Sequence, residues 1–209
     1  MKKVQDHYFE KARKAGYPAR SVYKLEEIDQ KKGLLKPGMR VLDLGAAPGS
    51  WLLYAAERVR KPEGSSRDHT GTVTGVDLQP LNIGLPANAR FIQGDAGALA
   101  PEDLLAGGGL FDVVLSDMAP KTSGVPSGDA LKSAGLVQGV LALCPALLKP
   151  GGTLLTKIFQ GSGFDPIREE FRRAFRQVSV EKPKAARSES VEVFLLGRGY
   201  QPQQSPPEG

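Results

Sequence analysis

An acid and an amine, Asp117 and Lys157, each close an apolar strand, in VLSDMAP at 114–120 and LLTKIFQG at 154–161. A third segment, VLDLGAAPGSW at 41–51, runs from a strand through a glycine turn into a helix. That order is a common cradle for an adenosine-containing cofactor, because the strand ends of a parallel sheet converge on one crevice. A carboxylate and an amine held together at the mouth of such a crevice can orient a nucleophile and move a proton.

The turn itself is Gly45-Ala46-Ala47-Pro48-Gly49. It departs from the G-x-G-x-x-G dinucleotide fingerprint, which argues against a nicotinamide dehydrogenase. Small residues let the backbone approach a ligand closely, and the helix N-terminus that follows favours an anionic group such as an amino-acid carboxylate. Asp77 ends the next strand, where an acid can accept hydrogen bonds from ribose hydroxyls. Asp95 follows the strand after that and could accept from an adenine amino group. Each of these acids alone could equally be a turn former or a cap; their recurrence at successive strand ends points to a pocket. Trp51, the only tryptophan, either lines that pocket or packs in the core.

Elements must position these residues. The spacing of Val22, Leu25 and Ile28 predicts a helix over 19–32, broken by Pro37-Gly38. Strands are expected at 40–44, 72–77, 90–93, 111–116, 153–159, 177–182 and 191–197, with helices at 51–59, 101–106, 129–148 and 165–176. The segment 119–128, rich in Pro, Gly, Ser and Thr, reads as an active-site loop, and Pro150-Gly151-Gly152 as the end of the long helix. Alternating strands and helices imply a mostly parallel sheet covered on both faces. The last two strands are joined without a helix, so the final one is expected to run antiparallel. The chain thus reads as an α/β, Rossmann-like protein of seven strands. It comprises a basic N-terminal extension with a helix (1–36), a main domain (37–199) and a disordered polar tail (200–209).

Composition narrows the class. With 40% hydrophobic and 24% charged residues, the 209-residue chain is ordinary for a soluble domain. No apolar run approaches the roughly 20 residues of a membrane span, and no export signal is evident, so a cytoplasmic protein without a membrane partner is expected. One cysteine, Cys144, in an apolar helical run reads as a buried thiol, and two histidines with it make a zinc site improbable; no metal is expected. Of the basic residues behind the net charge of +5, nine lie between Lys2 and Lys32, interleaved with Tyr8, Phe9, Tyr17 and Tyr23. A second set is Lys182, Lys184 and Arg187. This mixture suits phosphate contacts with base stacking, although a solvated helix face gives the same pattern.

DLGAAPGSW, SDMAP and KIFQG with a downstream acidic strand together resemble the FtsJ family of S-adenosylmethionine-dependent RNA ribose 2'-O-methyltransferases, over about Lys11 to Gly197. The likeness is strongest to bacterial members that methylate a uridine ribose in large-subunit ribosomal RNA. It implies a Lys-Asp-Lys-Glu tetrad on Lys24, Asp117, Lys157 and Glu192. It also implies cofactor contacts at Gly49, Trp51, Asp77, Asp95 and Asp117. Ser50 departs from the family, where glycine is frequent; the 60–71 segment is longer and more polar than usual; and Glu189 competes with Glu192 for the last role. Alternation of Val191, Val193 and Leu195 favours Glu192. The implied mechanism makes Lys157 the general base. A lysine titrates near ~10.4; Lys24 and burial would lower that value and Asp117 would oppose the shift. Asp117 is therefore expected to orient Lys157 and Glu192 to hold Lys24. The expected partner is ribosomal RNA, within the large subunit, with the chain a monomer. Alternatives are methylation of a tRNA anticodon loop, a non-catalytic RNA-binding or ribosome-assembly protein, and a small-molecule methyltransferase; the intact tetrad and the cationic extension weigh against the last two.

Overall fold

In the strands of this chain apolar residues run nearly unbroken, the mark of a sheet buried on both faces. The structure is a computed structural model and describes residues 2–61, 71–186 and 190–202. Arg187, Glu189, most of the 60–71 segment and most of the tail lie outside the described residues. Its elements are α1 (Lys2–Lys14), α2 (Val22–Lys32), β1 (Arg40–Leu44), α3 (Ser50–Val59), β2 (Thr72–Asp77), β3 (Ala89–Gln93), α4 (Pro101–Leu105), β4 (Phe111–Ser116), α5 (Pro126–Leu147), β5 (Leu148–Phe159), α6 (Phe164–Ala174), β6 (Phe175–Glu181) and β7 (Glu192–Tyr200).

The seven strands lie in the order β3-β2-β1-β4-β5-β7-β6. β3, β2, β1, β4 and β5 are mutually parallel, and β7 runs antiparallel to both β5 and β6. The expected doubly covered sheet and the reversed last strand are both present. The chain moves outward from β1 to β3, then returns to β4 on the other side of β1. That reversal opens a crevice beyond the ends of β1 and β4.

Period-2 alternation sorts side chains between two cores. Val41, Leu115, Leu155 and Phe194 face the layer of α2 and α3, whereas their neighbours Leu42, Val114, Leu154 and Leu195 face α4, α5 and α6. Cys144 is buried in the second core, as its sequence context implied. Asp29 fastens α2 to α3. Its carboxylate accepts from the Leu34 and Leu35 amides at 2.8 Å each, from the Tyr54 hydroxyl at 2.9 Å and from Arg58 at 3.0 Å.

Several boundaries differ from expectation. α1 has no predicted counterpart, because charge dominates its sequence and Ala12 is its one residue recorded in the core. α2 starts at Val22 rather than 19, since Pro18 to Ser21 form a turn. α5 starts at 126, with Pro126 in its first turn, where a missing N–H costs nothing. Its 22 residues include an 18-residue window of mean hydropathy 1.5, long and apolar enough to cross a membrane by length and composition, contrary to the reading that no run comes near that length. Here Val137, Val140, Cys144 and Leu147 bury one side of it against the sheet. Pro150-Gly151-Gly152 lies inside β5 rather than before it, as an irregularity between the Phe111–Leu148 and Val113–Thr153 pairs.

Candidate active site

The carboxyl ends of β1, β2, β3, β4 and β5 bring the predicted residues to one edge. Asp117 follows β4, and Lys157 lies near the end of β5, paired with Phe194 of β7. Lys157 is 7% exposed. Its Nζ donates to the Asp117 carbonyl oxygen at 2.7 Å and lies 3.1 Å from Asp117 Oδ1 and 3.7 Å from Glu192 Oε1. The carbonyl contact is the aligned hydrogen bond; the carboxylate contact is an ion pair without hydrogen-bond geometry, which leaves the buried Oδ1 without a donor. Glu192 Oε2 accepts from Lys24 Nζ at 3.1 Å. The order Lys24, Glu192, Lys157, Asp117 is thus a chain of alternating charge. Burial works to raise the Glu192 carboxyl, but Lys24, Lys157 and hydrogen bonds from Lys24 and Ser190 outweigh it and hold that carboxyl below its ordinary range.

Core packing aims these groups. Lys24 Nζ lies 5.9 Å from the centre of the Phe194 ring, and Phe194 packs on Trp51 at 5.7 Å. Trp51 is itself in the core, and its Nε1 donates to the Ser21 carbonyl at 2.9 Å. Of the two readings open for Trp51 in the sequence, this placement is the packing one.

Beside the tetrad lies the glycine turn. Gly45 adopts φ +78°, and a Cβ there would meet Met118 Cγ at 2.6 Å, so the turn packs directly on the SDMAP segment. Gly49 adopts φ +108°, and a Cβ would come within 2.2 Å of Ile83 Cδ1. Both positions need glycine for backbone and space. Asp77 Oδ2 accepts from the Ala47 amide at 2.9 Å and Oδ1 from the Gln79 amide at 2.8 Å, so this acid also shapes the turn. Asp95 caps its own turn, with Oδ1 accepting from the Gly97 amide at 2.9 Å.

Two residues of the site, Asp43 and Asp129, escaped the sequence reading, and a third, Ser50, entered it only as a departure from the family. Asp43 in β1 is fully buried, and neither carboxylate oxygen has a donor. Burial, and then the carboxylates of Asp117 and Asp77, push its carboxyl well above the ordinary range. An acid inside the apolar run VLDL was the available signal. The Ser50 hydroxyl accepts from the Ala19 amide at 2.8 Å and donates to the Ala19 carbonyl at 3.0 Å, tying the N-terminal segment to α3. Asp129, in the first turn of α5, binds the loop that follows Asp117. Next to the tetrad a cleft of about 610 Å³ is lined by Arg20, Lys24, Thr122, Gly124, Gln160 and Val191, among others.

The model of the FtsJ-like methyltransferase family matches residues 17–200. The chain is 49% identical over 193 residues to the ribosomal RNA large subunit methyltransferase E of Desulfatibacillum aliphaticivorans, covering 92% of this chain and 89% of that one. It is 46% identical over 213 residues to the protein of the same name from Oleidesulfovibrio alaskensis, covering 100% and 99%. A solved Plasmodium falciparum structure described as a ribosomal RNA methyltransferase superposes with a TM-score of 0.73 at 26% identity, covering 88% of this chain and 98% of that one. The glycine turn, the tetrad segments and the reversed last strand all fall inside the matched span, and the chain belongs to the FtsJ-like methyltransferase family.

Proposed function

We propose that the chain methylates the 2'-hydroxyl of a uridine ribose in large-subunit ribosomal RNA, using S-adenosylmethionine, with Lys157 as general base. The observation that carries this reading is the alternating set Lys24, Glu192, Lys157 and Asp117 at the junction of a glycine cradle and an open cleft. The names of the relatives support ribosomal RNA as the acceptor.

The cradle fits this cofactor. Its methionine end carries an ammonium and a sulfonium, and the buried oxygens of Asp43 and Oδ1 of Asp117 are acceptors without donors. Gly45 and Gly49 let the turn close against Met118 and Ile83 and so fix its shape, and Asp77 and Asp95 would hold the adenosine part. When bound, the cofactor supplies an activated methyl group. Lys157, in its unprotonated form, would take the proton of the 2'-hydroxyl while that oxygen bonds to the methyl carbon and the methyl–sulfur bond breaks, its electron pair staying on the sulfur of the departing cofactor. Asp117 directs the amine, Glu192 holds Lys24 beside it, and the Lys24 cation steadies the charge that grows on the ribose oxygen. Arg20, at the rim of the cleft, suits a phosphate.

The test is transfer of tritiated methyl to three acceptors: undermethylated large subunits, total tRNA and free ribosomal RNA. Label mapped to one uridine ribose of the large-subunit RNA supports the reading. Label confined to tRNA moves the acceptor, and no label with cofactor still bound leaves an RNA-binding protein.

A further inference from the structure

The cleft has two walls. One is the segment that leaves β4 after Asp117, contributing Thr122, Gly124 and Pro126; the other is the segment entering β7, contributing Ser190, Val191 and Glu192. β5 lies between β4 and β7 in the sheet. With a volume of about 610 Å³ and Lys24 and Phe159 also in its lining, the cleft has room for one nucleotide turned out of a strand.

The first wall has little of its own to hold it. Residues 121–127 are all exposed, Val125 at 57%. No apolar burial fixes their path, so polar contacts must. One side chain supplies them. Asp129 Oδ1 accepts from the Ser123 amide at 2.7 Å and from its hydroxyl at 2.8 Å, and Oδ2 accepts from the Gly124 amide at 3.2 Å. The Asp129 amide donates to the Val125 carbonyl at 2.9 Å, closing the loop from the other direction. Gly124 takes φ +83° within this bonded turn. The Asp129 side chain is itself buried, and the hydrogen bonds from Ser123 hold its carboxyl below the ordinary range. Asp129 itself lines the cleft beside this loop, but both its carboxylate oxygens are taken by Ser123 and Gly124, so what it provides there is a fixed wall.

We propose that Asp129 is a positioning residue for the acceptor: it locks residues 122–126 as the wall against which an unpaired nucleotide is seated over Lys157. The inference rests on the proposed methyl transfer to RNA. It names the acceptor as a single unpaired nucleotide and separates its binding from that of the cofactor.

The experiment compares wild type with Asp129→Ala, Asp129→Asn and Ser123→Ala in steady-state methyl transfer to undermethylated large-subunit RNA, with S-adenosylmethionine affinity measured by calorimetry. Asp129→Ala should raise KM for RNA about tenfold, the scale of lost charge-assisted hydrogen bonds, with cofactor affinity unchanged. Asp129→Asn should fall between, since its amide oxygen still accepts from Ser123 while its nitrogen cannot accept from Gly124. Ser123→Ala should show the smallest effect. An unchanged KM in a folded Asp129→Ala protein overturns the inference, as does a parallel loss of cofactor affinity in all three variants. Should Asp129→Ala fail to fold, the ranking of Asp129→Asn and Ser123→Ala against wild type decides. Absence of transfer by wild type to any RNA removes the function reading instead, and this inference with it.

Discussion

Lys24 and Glu192 stand 168 positions apart in the chain and 3.1 Å apart in space. The pair joins the N-terminal helix layer to the start of the last strand, so it forms only when α2 and β7 are both folded onto the sheet. Lys24 is 12% exposed and Glu192 22% at the side chain, which makes this a partly desolvated pair rather than a surface one.

Replacing Glu192 by Gln should therefore cost more than a surface pair, about 1–3 kcal/mol at neutral pH, because two cations lose their partner. The sign with pH is fixed by the depressed carboxyl. Its contribution is present above the ordinary value of 4.5 and disappears as pH falls through the lower folded value. Wild type should thus lose stability more steeply than Glu192→Gln in acid. Thermal melts from neutral pH downward check this; parallel curves would show that Glu192 is not held by the two lysines.

Lys157→Ala should abolish turnover, by a factor on the order of 10²–10⁴ for a lost general base. S-adenosylmethionine affinity should stay within about twofold, since the alanine leaves the glycine turn untouched and a factor of two is well under 1 kcal/mol. Single-turnover transfer and calorimetry on the same preparation separate the two. Near-normal transfer would take Lys157 out of the chemistry.

Asp43→Asn should act in opposite directions with and without cofactor. An acid whose folded carboxyl is raised binds its proton in the folded chain and loses it in the unfolded one, so folding is penalised as pH climbs above the ordinary value of 3.8. The amide removes that penalty. The cofactor-free variant should melt higher at neutral pH, by roughly 2–4 °C per kcal/mol recovered. The rise on adding S-adenosylmethionine should shrink, because a cation loses its carboxylate. Melts with and without cofactor read both effects; an unchanged cofactor response would place Asp43 outside the pocket.

What was legible in the sequence was whatever ends an apolar run. Asp77, Asp117 and Lys157 stand where strands stop, and strand ends of a parallel sheet must share an edge. Lys24 and Glu192 were legible only through the family pattern, since nothing local says that a helix near the start meets the last strand. Asp43 was hidden because it lies inside the apolar run, where an acid looks like an exception rather than a site. Asp129 was hidden because its partners are set by a loop whose course the sequence does not fix. α1 was missed because its charged residues leave almost no apolar stripe to count.

Ser50, where the family often carries glycine, gives the last prediction. Its side chain is 2% exposed, and its hydroxyl satisfies both backbone groups of Ala19 at once. Removing the hydroxyl leaves two partly buried groups unpaired, a cost of about 1–3 kcal/mol. Ser50→Ala isolates that loss, and Ser50→Gly adds the backbone freedom of glycine, up to ~1 kcal/mol in a helix interior and less in this first turn. The expected order of urea midpoints is wild type, then Ser50→Ala, then Ser50→Gly, with the first gap the larger. The segment released by the substitution leads directly into Arg20 and Lys24, so limited proteolysis near Ala19 should accelerate in both variants. If Ser50→Ala unfolds with wild type and is cut no faster, the hydroxyl does not fasten the N-terminal segment, and the bonds of Trp51 to Ser21 and of Tyr17 to Glu57 carry that task instead.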